Sequence, residues 1–185
     1  MFGELASIDQ NLILTGYIGP GQLAIARKTA EALRLPFVDY ETRLEEAAGM
    51  PGEDVRALFG EKRLESLEKS LVDEISLYRG TLIHISGQTL HIADHFERLR
   101  VTGTIICLVA SVDAVLQRLH LAMGARFHNP AERDIAVGTL RREWAVRKLP
   151  GIHEIDTSLL DDEQTIRAIA RTWRERAAVI DWRTA

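Results

Sequence analysis

The residues whose types and spacing could do chemistry begin with three glycines, Gly16, Gly19 and Gly21, in the run Gly16-Tyr17-Ile18-Gly19-Pro20-Gly21-Gln22-Leu23. A strand-like apolar stretch, Asn11 to Thr15, precedes them, and a helical stretch from about Gln22 to Leu33 follows. A phosphate-binding loop needs that context. Glycines let the backbone wrap an anion with its amides turned inward, and the N-terminus of the next helix adds partial positive charge. The full pattern, G-x-x-x-x-G-K-[S/T], also supplies a lysine for the phosphates and a hydroxyl for magnesium. Here Gln22 stands where the lysine belongs and Leu23 where the hydroxyl belongs. Pro20 removes one further amide. The glycines of a cradle are kept while its charged chemistry is lost. A donor preorganised toward developing charge is worth about 2–4 kcal/mol, so losing both groups predicts very weak catalysis unless another residue substitutes. Arg27 and Lys28 leave the helix on other faces and are poor substitutes.

Such a loop must be positioned by the elements around it. Short apolar runs at Asn11–Thr15, Phe37–Asp39, Leu82–Ile85, Thr104–Ala110 and Ile152–Asp156 read as five strands. Between them the spacing predicts helices over 22–33, 57–79, 90–100, 112–123 and 131–148, with a last helix carrying Ile166, Ile169, Trp173, Ala177 and Ile180 on one side. Alternation of this kind predicts an α/β three-layer fold, a five-stranded parallel sheet with helices on both faces, because parallel strands need crossover connections. The chain of 185 residues reads as a single domain, with its core over about 11–172. Right-handed crossovers put the strand C-termini along one edge, where ligands bind. The glycine loop, Asp39 and Ser86-Gly87-Gln88 all fall at such ends.

Composition limits the function classes. Hydrophobic residues are 46% and charged residues 27%, which suits a globular protein. No apolar run is long enough to span a bilayer, and the N-terminus lacks the basic start and apolar stretch of a signal peptide, so a cytoplasmic location with no membrane partner is expected. A net charge of −4 and the lack of a basic stripe argue against nucleic acid. Cys107, the single cysteine, sits among apolar neighbours and reads as an inert buried thiol. His91 and His95 have an i, i+4 spacing that can bind metal on a helix, but no third ligand is near, and an ordinary partly exposed pair is the expectation. His84 reads as a satisfied core histidine. Trp144, Trp173 and Trp182 read as packing residues or surface anchors, and Trp182 is placed to meet a protein partner or a second copy.

Further segments extend the pattern beyond the loop. Ala24-Ile25-Ala26-Arg27, Phe37-Val38-Asp39-Tyr40-Glu41, Gly49-Met50, Phe59-Gly60-Glu61, Val112 to Arg118 and Ile155-Asp156-Thr157 occur in an order and spacing that resemble the shikimate kinase family over about residues 11–172. The resemblance implies ATP and magnesium as cofactors and a small-molecule ligand. By it, Asp39 and Glu41 match a pair that helps hold magnesium and receives the substrate hydroxyl. The loop residues Gly16, Gly19, Gly21, Gln22 and Leu23 would hold nucleotide phosphate, with Arg118 stacking on adenine. Arg126 would belong to a mobile lid over about 122–134, and Asp39, Gly87 and Arg142 (or Arg141) would meet the substrate.

Several positions depart from that family. Glu41 replaces the second aspartate, Glu65 falls where a carboxylate-binding arginine is expected, and Ser86-Gly87-Gln88 replaces a triple glycine. Phe127-His128-Asn129-Pro130 is not the family's usual lid continuation. Ten acidic residues face five basic ones from Glu41 to Ile75, a balance that does not favour an anionic ligand. The expectation is a catalytically impaired homologue that keeps nucleotide or anion binding in a regulatory role. The alternative is an active ATP-dependent kinase with a non-standard loop, acting on shikimate or another hydroxylated small molecule.

Overall fold

The computed structural model describes residues 9–92, 94–124 and 129–181. Strands β1 (Asn11–Gly16), β2 (Phe37–Asp39), β3 (Leu82–His84), β4 (Gly103–Val109) and β5 (His153–Asp156) form one parallel sheet in the order β2-β3-β1-β4-β5. Strand β1 lies at the centre, with Leu12 beside Leu82 on one side and Thr104 on the other. It is buried along its whole length, which is why it reads as a continuous apolar run. The chain first builds outward from β1 to β2 and then reverses to β4 and β5, so the crevice opens at the C-terminal end of β1.

Side chains alternate between two cores, as the period of a strand dictates. Leu12, Leu14, Leu82, Ile106, Leu108 and Ile155 pack on one face with Ile25, Ala26, Val115, Ile169 and Trp173. Those partners come from α1 (Gln22–Leu33), α7 (Val112–Met123) and α9 (Asp162–Asp181). Ile13, Ile83, Ile105 and Cys107 face the other core with Tyr40, Leu44, Leu64, Leu71, Ile75 and Leu99. That layer is built by α2 (Tyr40–Ala48), α4 (Glu61–Ile75) and α6 (His95–Arg100). The Cys107 thiol is fully buried there, and burial pushes its pKa up to about 12, consistent with an inert thiol.

Three helices differ from the sequence expectation. The stretch expected as one helix over 57–79 is divided at Gly60 into α3 (Gly52–Phe59) and α4. The stretch over 90–100 is divided into a single turn, α5 (Gly87–Leu90), and α6. His91 and His95 therefore do not share a helix face: His91 is exposed, while His95 is buried with Nδ1 bonded to the Thr89 carbonyl. Among the described residues, no group of three or more His, Cys, Asp or Glu side chains could hold a metal ion. The third helix, α8 (Pro130–Glu143), gives way to a 3-10 turn at Trp144–Lys148.

Candidate active-site crevice at the C-terminal edge of the sheet

Gly16 closes β1 with a φ of 93°, and a Cβ there would lie 2.2 Å from the Leu108 carbonyl oxygen of β4. Only glycine lets the loop leave the sheet at this point. Gly19 and Gly21 also take positive φ, and Gly21 hands the chain to α1 without a side-chain cap. The turn thus has the backbone form of an anion cradle. Its interior is occupied by a side chain of its own. The buried Gln22 carboxamide accepts from Ile18 N at 3.0 Å through Oε1 and donates from Nε2 to the Gly16 carbonyl at 3.0 Å.

Three successive loop carbonyls are held by side chains from three elements. Gly16 O receives Gln22, Tyr17 O receives Trp144 Nε1 at 2.9 Å, and Ile18 O receives Arg118 Nη1 at 3.0 Å. Arg118 also donates to Thr157, from Nη1 to Oγ1 at 3.1 Å and from Nη2 to the carbonyl at 2.5 Å. Its guanidinium, partly buried with its pKa drawn down by that burial, is committed to tying the loop to the end of β5. Trp144, expected as a packing residue or surface anchor, holds this loop through its indole N–H.

Gln22 continues into a relay across the sheet edge. Its Nε2 lies 3.3 Å from His84 Nε2, and His84 Nδ1 lies 2.7 Å from Asp39 Oδ1. Because Ile18 N fixes Oε1 as the acceptor, Gln22 presents a donor to His84. The histidine proton therefore sits on Nδ1, pointing at Asp39. His84 is thus satisfied, as expected, but by the site rather than by the core. Asp39 also caps α2, its Oδ2 accepting from Thr42 N at 3.1 Å and Thr42 Oγ1 at 2.7 Å. Burial alone would raise the Asp39 pKa, but the hydrogen bonds from His84 and Thr42 hold it below the ordinary carboxylate range.

The remaining carboxylates behave differently. Glu41 is pushed upward by burial and by the nearby charges of Asp39 and Glu143, against one hydrogen bond from Thr89 Oγ1 at 3.1 Å. Glu143, buried at the end of α8, accepts from Gly87 N at 2.6 Å and Gln88 Nε2 at 2.8 Å. Gly87 has no room for a side chain, since a Cβ would lie 1.9 Å from the Glu143 carbonyl oxygen. Arg142, expected beside Gly87, instead turns outward and donates to Thr139 Oγ1 at 3.2 Å. A carboxylate takes the inward place. Arg126 falls outside the described residues, as does Trp182. Next to these groups lies a cavity of about 240 Å³ whose polar lining is Glu41, Arg56, Glu68, Ser86, Gln88 and Thr89.

The family model described as "Shikimate kinase" matches residues 18–177. The chain belongs to the shikimate kinase family. A shikimate kinase of Thermodesulfovibrio yellowstonii is 28% identical over 171 residues, covering 89% of this chain and 95% of that protein. Among solved structures, the fold is shared with the shikimate kinase of Acinetobacter baumannii in complex with shikimate (TM-score 0.71, 19% identity, 92% of this chain and 96% of that one). It is shared equally with the shikimate kinase of Bacteroides thetaiotaomicron (TM-score 0.70, 21% identity, 90% and 96%). The three-layer α/β architecture expected of the sequence is the architecture of this family.

Within that frame the structure brings Gln22, His84, Asp39, Glu41, Gly87 and Glu143 to one edge, and it leaves Arg142 out. Sequence reasoning missed the places of His84, Glu143 and Glu68. Asp39 and His84 are lateral partners on adjacent strands, a pairing visible only once β2 is known to lie beside β3. Glu143 follows two arginines on a helix, and successive helical residues point about 100° apart, so its inward place depends on a helix phase that spacing left open. Glu68 was one acid among many until its burial was known. None of the described helices is long and apolar enough to cross a membrane.

Proposed function

We propose that this member of the shikimate kinase family acts by binding, with phosphoryl transfer strongly impaired. The Gln22 carboxamide inside the glycine loop carries this reading. It bridges Ile18 N and the Gly16 carbonyl, the groups at the mouth of the cradle, and brings no positive charge. Magnesium triphosphate does not fit the residues present. The lysine position holds a neutral amide, the hydroxyl position holds Leu23, and both Asp39 oxygens are already engaged by His84 and Thr42. Arg118, the candidate for adenine, is committed to Ile18 and Thr157. What survives is a set of donors. The amides of Gly19, Gly21, Gln22 and Leu23 have no hydrogen-bond partner among the described residues, which supports weak binding of a nucleotide phosphate or small anion at the start of α1. A regulatory role through ligand binding follows from that balance.

A second reading, an active kinase for a hydroxylated small molecule, is favoured by Asp39. That carboxylate is kept ionised beside His84, as a base receiving a hydroxyl proton must be. Calorimetric titration with magnesium ATP, magnesium ADP and shikimate, with ADP release followed in parallel, separates the two. Binding without turnover is expected. Turnover of about one per second or faster, the ordinary range for enzymes, would establish the active kinase instead.

A further inference from the structure

The cleft between α2, α4 and α5 has donors and acceptors out of balance, and the imbalance identifies what would fill it. Its hydroxyls and one carboxamide hydrogen are engaged by the protein. Ser86 Oγ donates to Thr89 Oγ1 at 2.8 Å, Thr89 Oγ1 donates to Glu41 at 3.1 Å, and Gln88 Nε2 donates to Glu143 at 2.8 Å. Arg56, the one cation among the described residues lining the cavity, gives its Nε to Glu61 at 2.7 Å and keeps its Nη donors, a single positive charge beside Glu41 and Glu68. The acceptors without a donor among the described residues are the second oxygen of Glu41, the side-chain Oε1 of Gln88 and the whole carboxylate of Glu68.

Glu68 is the most telling of these groups. Only 7% of the residue is exposed, and it lines both this cavity and the neighbouring one of about 490 Å³ that holds Glu65 and Lys69. Its carboxylate has no hydrogen-bond donor among the described residues, whereas Asp39, Glu41 and Glu143 each have at least one. The fully buried Tyr40 hydroxyl, within electrostatic reach of Glu68, also has no hydrogen-bond partner among the described residues. A buried carboxylate without donors is costly, and a ligand that supplies donors and positive charge relieves that cost. A carboxylate ligand would meet Glu41 and Glu68 with only Arg56 to offset them. The volume of about 240 Å³ suits one ring rather than a larger molecule.

We propose that this cleft takes a single-ring hydroxylated amine, an amino-cyclitol or amino sugar, with its ammonium held by Glu68 and Glu41 and its hydroxyls donating to Gln88 Oε1 and the remaining carboxylate oxygens. The assignment rests on reading the cleft as the small-molecule site of a shikimate-kinase-family binding protein. It reverses the charge of the ligand named in the Acinetobacter baumannii complex.

Glucosamine and 2-deoxystreptamine, titrated into the full chain and followed by the amide resonances of Gly52 and Gly87, test the assignment against glucose and shikimate. Both amines are expected to shift those resonances at concentrations where glucose and shikimate do not. The near-isosteric Glu68→Gln is expected to weaken amine binding roughly tenfold or more, since a hydrogen bond to a charged group is lost. Glu41→Gln provides an independent second variant. Shikimate or glucose binding as tightly as the amines, no amine binding, or amine affinity unchanged in both variants would overturn the assignment. Phosphorylation of a bound amine would support the ligand class while sinking the impaired-kinase reading. Absence of amine binding would leave that reading to the ATP titration.

Discussion

Lysine and glutamine ask different things of a glycine loop. A lysine ammonium only donates, so inside such a loop it leaves the amides free for a ligand; a carboxamide both donates and accepts, and can close the loop on itself. Gln22 does this through Ile18 N and Gly16 O. Gln22→Ala would strand the Ile18 amide, and a loss of about 1–3 kcal/mol in folding stability is expected. Urea unfolding should show a lower midpoint at unchanged slope. The double substitution Gln22→Lys with Leu23→Ser is expected to raise magnesium ADP affinity measurably by calorimetry. The backbone turns at Gly16, Gly19 and Gly21 are already formed, so only charge and metal ligation are being returned. No gain would mean that Pro20 or the carbonyl anchors have reshaped the cradle. The absence of the lysine was legible from position 22 alone. That its replacement would reach back to Ile18 and across to His84 was not, because those contacts depend on how loop and sheet meet.

At the scale of elements, the loop is a junction between α1, α7, β5 and the 3-10 turn after α8. Arg118 and Trp144 are its two distant anchors, reaching Ile18 and Tyr17. Arg118→Met keeps most of the aliphatic packing but removes the hydrogen bonds to Ile18 and Thr157. About 1.5–3 kcal/mol of stability should be lost, as for hydrogen bonds to a charged group. Amide exchange at Gly19 and Gly21 should quicken as the junction opens, and unchanged exchange would show that Trp144 and Gln22 hold the loop unaided. The strands were legible to within a residue or so; burial on two faces writes the central β1 and β4 as compact apolar runs, and the edge strands are shorter and less buried. The helix breaks were harder to read. Apolar residues continue at helical spacing through Leu90, Phe96 and Leu99, so periodicity joins two segments that the turn around His91 and Ile92 separates. With that break unread, the i, i+4 relation of His91 and His95 implied a shared face that the fold does not contain.

For the molecule as a whole, the carboxylates of the crevice pull stability in opposite directions as pH changes. The Asp39 pKa is lowered in the folded protein by His84 and Thr42, outweighing its burial, so its contribution is present above the unfolded value and is lost as pH falls through the folded one. Glu41 and Glu68 are both raised, first by burial and then by neighbouring acids. Folding then binds protons at these two sites above the ordinary value of 4.5, and the stability they contribute fades as pH rises through their folded values. Asp39, Glu143 and His84 act on Glu41, while Glu41, Arg56, Glu61 and Glu65 act on Glu68, so acids outnumber bases around the pair. Thermal unfolding should therefore occur at a higher temperature near about pH 5 than at pH 7, and at a lower one again below about pH 4, as the pH falls toward the lowered Asp39 value. Glu68→Gln separates the crevice from general surface charge. It removes a desolvated carboxylate without changing shape, so at pH 7 the variant should melt higher than the parent, and the gap should close toward pH 5. An equal shift at both pH values would place the effect in packing. A gap that closes with acid would locate it in the Glu68 charge, which a cationic ligand would neutralise.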